Sequence, residues 1–208
     1  MSCIRRGLMS LPLVLLSTLL LACASPAEPG PPEPSAAGAK PAATLPELQN
    51  RLIHYADSLK QPKDSAQHVF TSMLGVTLAP IAPGAKSGRV KDMPLSGGYM
   101  FYASSLATQP PHTFGDYEVG IYRHGGPAFT EDERSPCVWD AAVARQRLES
   151  IGYQAGGERP FQRGRRQEFW RPIEDSEKEF YVHLLTYTTV AGQEKTCVYA
   201  IRFSGGNP

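Results

Sequence analysis

"EFYVHLLTYTTVAGQEKTCVYAIRF", residues 179–203, decides how the chain folds. Residues favoured in strands run from Glu179 to Val190, stop at Ala191-Gly192-Gln193-Glu194, and resume from Lys195 to Phe203. Two such runs joined by a short turn with a glycine predict an antiparallel hairpin, with strands over 179–190 and 195–203. In the second strand Cys197, Tyr199, Ile201 and Phe203 fall two apart and so share one apolar face.

Further strands lie upstream. Residues 167–171 form one, Tyr99 to Ser105 another, and Asp116 to Arg123 alternates with Tyr117, Val119 and Ile121 on one side. The stretch from Pro80 to Gly98 is rich in Pro, Gly, Lys and Ser and reads as a loop, as does Gln109-Pro110-Pro111-His112. Helices come first in the chain. Thr44-Leu45-Pro46-Glu47 has capping-box spacing, and Leu45, Leu48, Leu52 and Leu59 then recur at helical spacing, which predicts a helix over about 45–60. A second helix is expected over about 65–74, capped by Asp64 and closed by Gly75. Ser135-Pro136 predicts the start of a third, with Cys137, Ala141, Ala144, Leu148 and Ile151 on one face and Gly152 ending it. The fold class expected is α+β: a mostly antiparallel sheet with two to three helices packed on one face and one disulfide.

The N-terminus has a different character. Arg5 and Arg6 precede a short apolar run, Leu8 to Leu21, interrupted by Pro12. That is too short to span a bilayer comfortably, and it resembles a bacterial secretion signal. It ends in Leu20-Leu21-Ala22-Cys23, which is similar to the lipobox of bacterial lipoproteins. The resemblance covers residues 1–23 only. It implies a signal peptide over 1–22, cleavage before Cys23 and diacylglycerol on the Cys23 sulfur, a membrane partner reached through lipid. Ala24 rather than aspartate follows, which by the same resemblance implies the bacterial outer membrane, with the domain facing the periplasm.

Residues 23–44 then form a tether. Ala24 to Thr44 holds six prolines and seven alanines with no Leu, Ile, Val, Met or aromatic residue. Such a segment lies extended at about 3.1 Å per residue, up to roughly 65 Å. Residues 45–208 are expected to form a single globular domain. With Cys3 in the signal and Cys23 lipidated, Cys137 and Cys197 remain, and in an oxidising compartment they read as one disulfide clamping helix to sheet.

Charge points to no particular recruiting force, since 21 basic residues face 20 acidic ones. Nucleic acid is not an expected partner, and the compartment argues against it more than the chemistry does. The nucleophile-elbow, zinc-protease, phosphate-loop and dinucleotide motifs are missing, so no catalytic residue, metal or cofactor is assigned. His112, Asp116 and His124 flank one strand but are too far apart to ligate one ion. Ser104, Ser105 and His183 could join an acid only as any serine-rich domain could.

Two stretches stand out as partner-binding candidates. "RPFQRGRRQEFWR", residues 159–171, sets five arginines among aromatic residues, with Gly164 suited to a turn. Arg163, Arg165, Arg166 and Trp170 could grip carboxylate or phosphate and stack on rings. The plain alternative is a solvated hairpin balanced by Glu174, Asp175, Glu177 and Glu179 downstream. The second stretch is the acidic loop Glu131, Asp132 and Glu133, suited to a cationic protein. A domain on a long tether with charged loops and no catalytic set suggests a non-enzymatic module that binds a protein in the envelope. An inhibitor or immunity protein against a toxic effector or wall-degrading enzyme is the specific expectation. A structural accessory lipoprotein of an envelope machine and an envelope hydrolase with an unrecognised site are the alternatives.

Overall fold

The computed structural model describes residues 43–106 and 113–207. The expected signal peptide, Cys23, the expected tether to residue 42, and the expected turn over 109–112 with His112 lie outside these residues. The described chain is built around an eight-stranded, wholly antiparallel sheet. Its strands are β1 (Ala79–Pro80), β2 (Gly88–Leu95), β3 (Tyr99–Leu106), β4 (Asp116–Tyr122), β5 (Gln154–Phe161), β6 (Gly164–Pro172), β7 (Glu179–Thr189) and β8 (Lys195–Gly206). They lie in the order β1-β2-β3-β4-β8-β7-β6-β5. Three α-helices accompany them: α1 (Leu45–Ser58), α2 (Gln67–Leu74) and α3 (Ala141–Ser150). The sheet dominates the architecture more than the expected α+β class implies.

The helices pack on one face of the sheet. Tyr55 of α1 meets Phe203 of β8 edge-on at 4.9 Å, and Phe70 of α2 stacks on Tyr117 of β4 at 4.1 Å. The same face carries Phe101, Val119, Val182 and Ile201, all fully buried. Burying these rings and branched side chains is the main drive to fold, about 1.5–3 kcal/mol for each large apolar side chain.

α1 begins as its capping box requires. The Glu47 carboxylate accepts from the Thr44 N–H at 2.6 Å and the Thr44 hydroxyl accepts from the Glu47 N–H. The Thr44 N–H holds the Glu47 carboxyl below its ordinary range. Asp64 does not cap α2 as expected. Its carboxylate accepts from the N–H groups of Lys60 and Gln61, closing a 3-10 turn over Pro62–Ser65, and Ala66 precedes α2 with no side-chain cap. Gly75 does end α2 in the left-handed conformation, φ +70°.

The expected loop over 80–98 contains strand β2. Its polar side chains give no alternating pattern, and a bulge between Val90 and Met93, with Asp92 at φ 55°, shifts the register midway. Pairing with β3 imposes the strand where local preference does not.

The third helix starts later than expected. Asp140, not Ser135, is its N-cap, accepting from the Ala142 N–H at 2.9 Å. Residues before it stay extended because they are stitched to the β7–β8 hairpin. The Trp139 carbonyl accepts from the Val198 N–H at 2.7 Å, and the Glu133 carbonyl accepts from the Val190 N–H. Cys137 therefore precedes the helix. The Cys137–Cys197 disulfide, with Cα atoms 5.5 Å apart, ties this incoming segment to β8 and does not clamp a helix across the sheet.

Candidate functional site

The two sequence candidates come together at one end of the sheet. The acidic loop and the β5–β6 turn line a cleft of about 630 Å³, floored by Thr186–Thr188. Across it Glu131 forms an ion pair with Arg163. Arg165 pairs with Glu158 of the neighbouring strand, and Asp132 with Arg134. The cleft is thus largely neutralised from within, and these exposed pairs each contribute at most about 1 kcal/mol.

The hairpin itself differs from expectation in three ways. Gln162, at φ 51°, and Arg163 make the turn. Gly164 opens β6, where a Cβ would sit 2.1 Å from the Thr186 carbonyl oxygen, so close approach to β7 requires glycine there. The arginines balance Glu131, Glu158 and Glu168 rather than the acids at 174–179. Finally, Arg165 and Arg166 project to opposite faces of β6, as neighbours in a strand must, so the basic cluster is not one surface.

Arg166 and Trp170 belong to the sheet face away from the helices, since they alternate with Phe169 and Arg171, which are buried beneath the helices. Across this open face the register lines up one transverse row: Arg89, Ser104, Glu118, Arg202, His183 and Glu168. The row is knitted by cross-strand contacts. Glu118 accepts from the Tyr102 hydroxyl and from Arg202, and His183 Nε2 lies 3.1 Å from Glu168. Arg159 joins Glu168 at 3.7 Å. Tyr102 lies flat across Gly120, where a Cβ would stand 2.3 Å from the ring. The Arg202 guanidinium sits 5.4 Å from the centre of the Phe161 ring. Phe161 belongs to β5, three strands from β8, about 14 Å in a flat sheet. The two side chains reach toward each other across the open face to close that distance.

The row was not picked out from sequence, although each member sits at the polar parity of its strand. Ser104 and His183 apart, none carries a signal of its own, and the strand order that aligns them is not legible locally. Ser104 and His183 do share the face but stand three strands apart, about 14 Å, so they form no triad. Ser105 points the other way and accepts from the Gly88 N–H at 2.9 Å. His124 turns to Asp92 at 3.7 Å, away from Asp116 at the far end of β4, and no metal-ligating cluster occurs among the described residues.

Burial shapes the titration of this face. It pushes the Tyr102 phenol up, with the Glu118 charge adding to it, and raises the Asp116 carboxyl against the pull of Arg202. Burial also lowers His183 below its ordinary value, and this outweighs the opposing hydrogen bond and charge of Glu168, with Arg202 and Arg159 adding to the depression. A histidine depressed in the folded state stays neutral there while the unfolded chain takes up its proton near pH 6.5. Stability is then intact above about pH 6.5 and falls as the pH drops below it. Asp116 works in the opposite sense. Urea midpoints measured from pH 7.5 to 5 should fall more steeply for the parent than for His183→Gln, and equal slopes would refute this.

Compared with protein-family models, curated proteins and solved structures, the chain finds no match.

Proposed function

We propose that the chain is a lipid-anchored lipoprotein of the bacterial outer membrane whose periplasmic domain binds a protein partner without chemistry of its own, as an inhibitor or immunity protein does. In this reading the domain is an α+β module whose helices build the back of the binding surface. The observation that carries it is the open sheet face. The three helices pack on the opposite side, while this face presents the half-buried Trp170 and Tyr181 beside a row of charges already ordered by one another. Rigid aromatic anchors among pre-ordered charges suit protein recognition, because little side-chain freedom is lost on binding. The disulfide fits an oxidising compartment, and the Cys23 lipobox and the tether fit a domain held off a membrane.

One experiment in cells tests both halves. A photo-crosslinking residue at Trp170 should trap a single protein, whereas one at Val143, exposed on α3 at the back, should not. Equal capture from both positions, or none from either, would defeat the binding-face reading. In the same strain, Cys23→Ala should move the protein out of the membrane fraction and abolish labelling by a fatty-acid probe. Retained labelling would defeat the anchor.

A further inference from the structure

We propose that the open face carries a second site, a cleft between β2, β3, β4 and β8 that binds a small molecule joining one carboxylate to an apolar body. The cleft holds about 510 Å³, inside the range of small-molecule sites. It lies on the β2 side of the face, away from Trp170.

The charges in its wall are unequally matched. Glu118 is engaged by Tyr102 and Arg202, and Asp92 by the Tyr122 hydroxyl and by His124. Arg89 and Lys91 also line the cleft, and neither has an acidic partner within 4.0 Å among the described residues. Between them and Glu118 lies Ser104, 7% exposed, which also lines the cleft. A serine hydroxyl can donate to an anionic oxygen held beside two cations. A fork-shaped guanidinium, an ammonium and a hydroxyl together match a planar carboxylate.

The rest of the wall selects the ligand further. Tyr102 and Tyr122 stand 6.2 Å apart, and Leu106 is 45% exposed at the rim, which gives an apolar body something to cover. Two carboxylates remain in the wall, so a monoanion balances the lining where a dianion would leave it net negative. The lining sets three cations, Arg89, Lys91 and Arg202, against two carboxylates, Asp92 and Glu118, which leaves one positive charge for one negative group.

Amide NMR spectra of the full chain test this with three probes: 3-phenylpropionate, its neutral amide, and inorganic phosphate. The carboxylate should give saturable shifts at Lys91, Ser104 and Glu118, with the amide and phosphate each binding at least tenfold more weakly. Arg89→Ala with Lys91→Ala should weaken the carboxylate at least tenfold, and Ser104→Ala about threefold. The absence of saturable shifts in the parent, or an amide or phosphate that binds as tightly as the carboxylate, overturns the site. So does a folded double variant that binds undiminished. The comparison of probes on the parent stands even if a variant fails to fold.

Discussion

Replacing Cys137 and Cys197 together by alanine is expected to lower the unfolding free energy by about 4 kcal/mol, the loop-entropy value for a bridge across 60 residues. Against the 5–15 kcal/mol typical of a domain, that loss is large. Its distribution follows from where the bridge lies. Residues 128–139 hold to the sheet end by a few hydrogen bonds, including the Pro136 carbonyl to the Tyr187 hydroxyl and the Ser135 carbonyl to the Thr189 hydroxyl. The stacking of Phe129 on Tyr187, at 5.2 Å, helps. Without the disulfide these contacts must hold an unbridged chain, so hydrogen exchange should quicken first from residue 129 to the start of α3. The β7–β8 pairing, eleven residue pairs with one register shift between Leu185 and Thr186, should keep its protection until global unfolding. A double variant whose urea midpoint stays within the equivalent of 1 kcal/mol of the parent would contradict this, as would exchange that quickens first in β7.

The parts that could be read from sequence are those where local and tertiary demands agree. Thr44 and Glu47 cap α1 because both partners lie within one turn, and Leu48, Leu52 and Ala56 then face the sheet. The β7–β8 hairpin is similar: its turn and its strand-forming residues point the same way. Where the two demands conflict, the reading failed. Ser135-Pro136 is a sound helix start in isolation, but pairing of Trp139 and Asp140 with β8 keeps that stretch extended, and Asp140 takes over as cap. In β2 the neighbouring strand overrides a sequence broken by Arg89, Lys91, Asp92 and Pro94. The basic hairpin is legible in the sequence, but alternation along β6 sends Arg165 and Arg166 to opposite faces. The open-face row lay beyond reach for another reason. Its six members come from six strands, and only the β4–β8 crossover, which separates sequence order from spatial order, places Glu118 beside Arg202.

Arg171→Met is expected to destabilise the domain by roughly 2–6 kcal/mol, through backbone groups that no substitution can remove. Arg171 is only 9% exposed, yet it lies on the apolar face of β6 beneath the helices. Its guanidinium donates to the Ile151 carbonyl at 2.9 Å, the Ala56 carbonyl at 3.1 Å and the Leu59 carbonyl, and stacks 4.5 Å from the Tyr153 ring centre. The last turn of α1 leaves its carbonyls unpaired, and this cation satisfies them while it sits favourably at the negative end of the helix. Replacing a buried ion pair with apolar residues is often harmless, because both charges leave together. Here the acceptors are main-chain carbonyls and remain. Tyr153 also donates to Ala56, so that carbonyl keeps a partner, whereas those of Leu59 and Ile151 lose theirs. Two orphaned carbonyls at about 1–3 kcal/mol each set the estimate. The Asp57 carboxylate, 3.8 Å from the guanidinium and half exposed, adds little because solvent screens it. Arg171→Lys keeps the charge but not the fork and should lose part of the same stability. Urea unfolding decides the case, with hydrogen exchange at the end of α1 as the local readout. A methionine variant with the parent's midpoint and unchanged protection near residue 59 would show that the carbonyls find water instead.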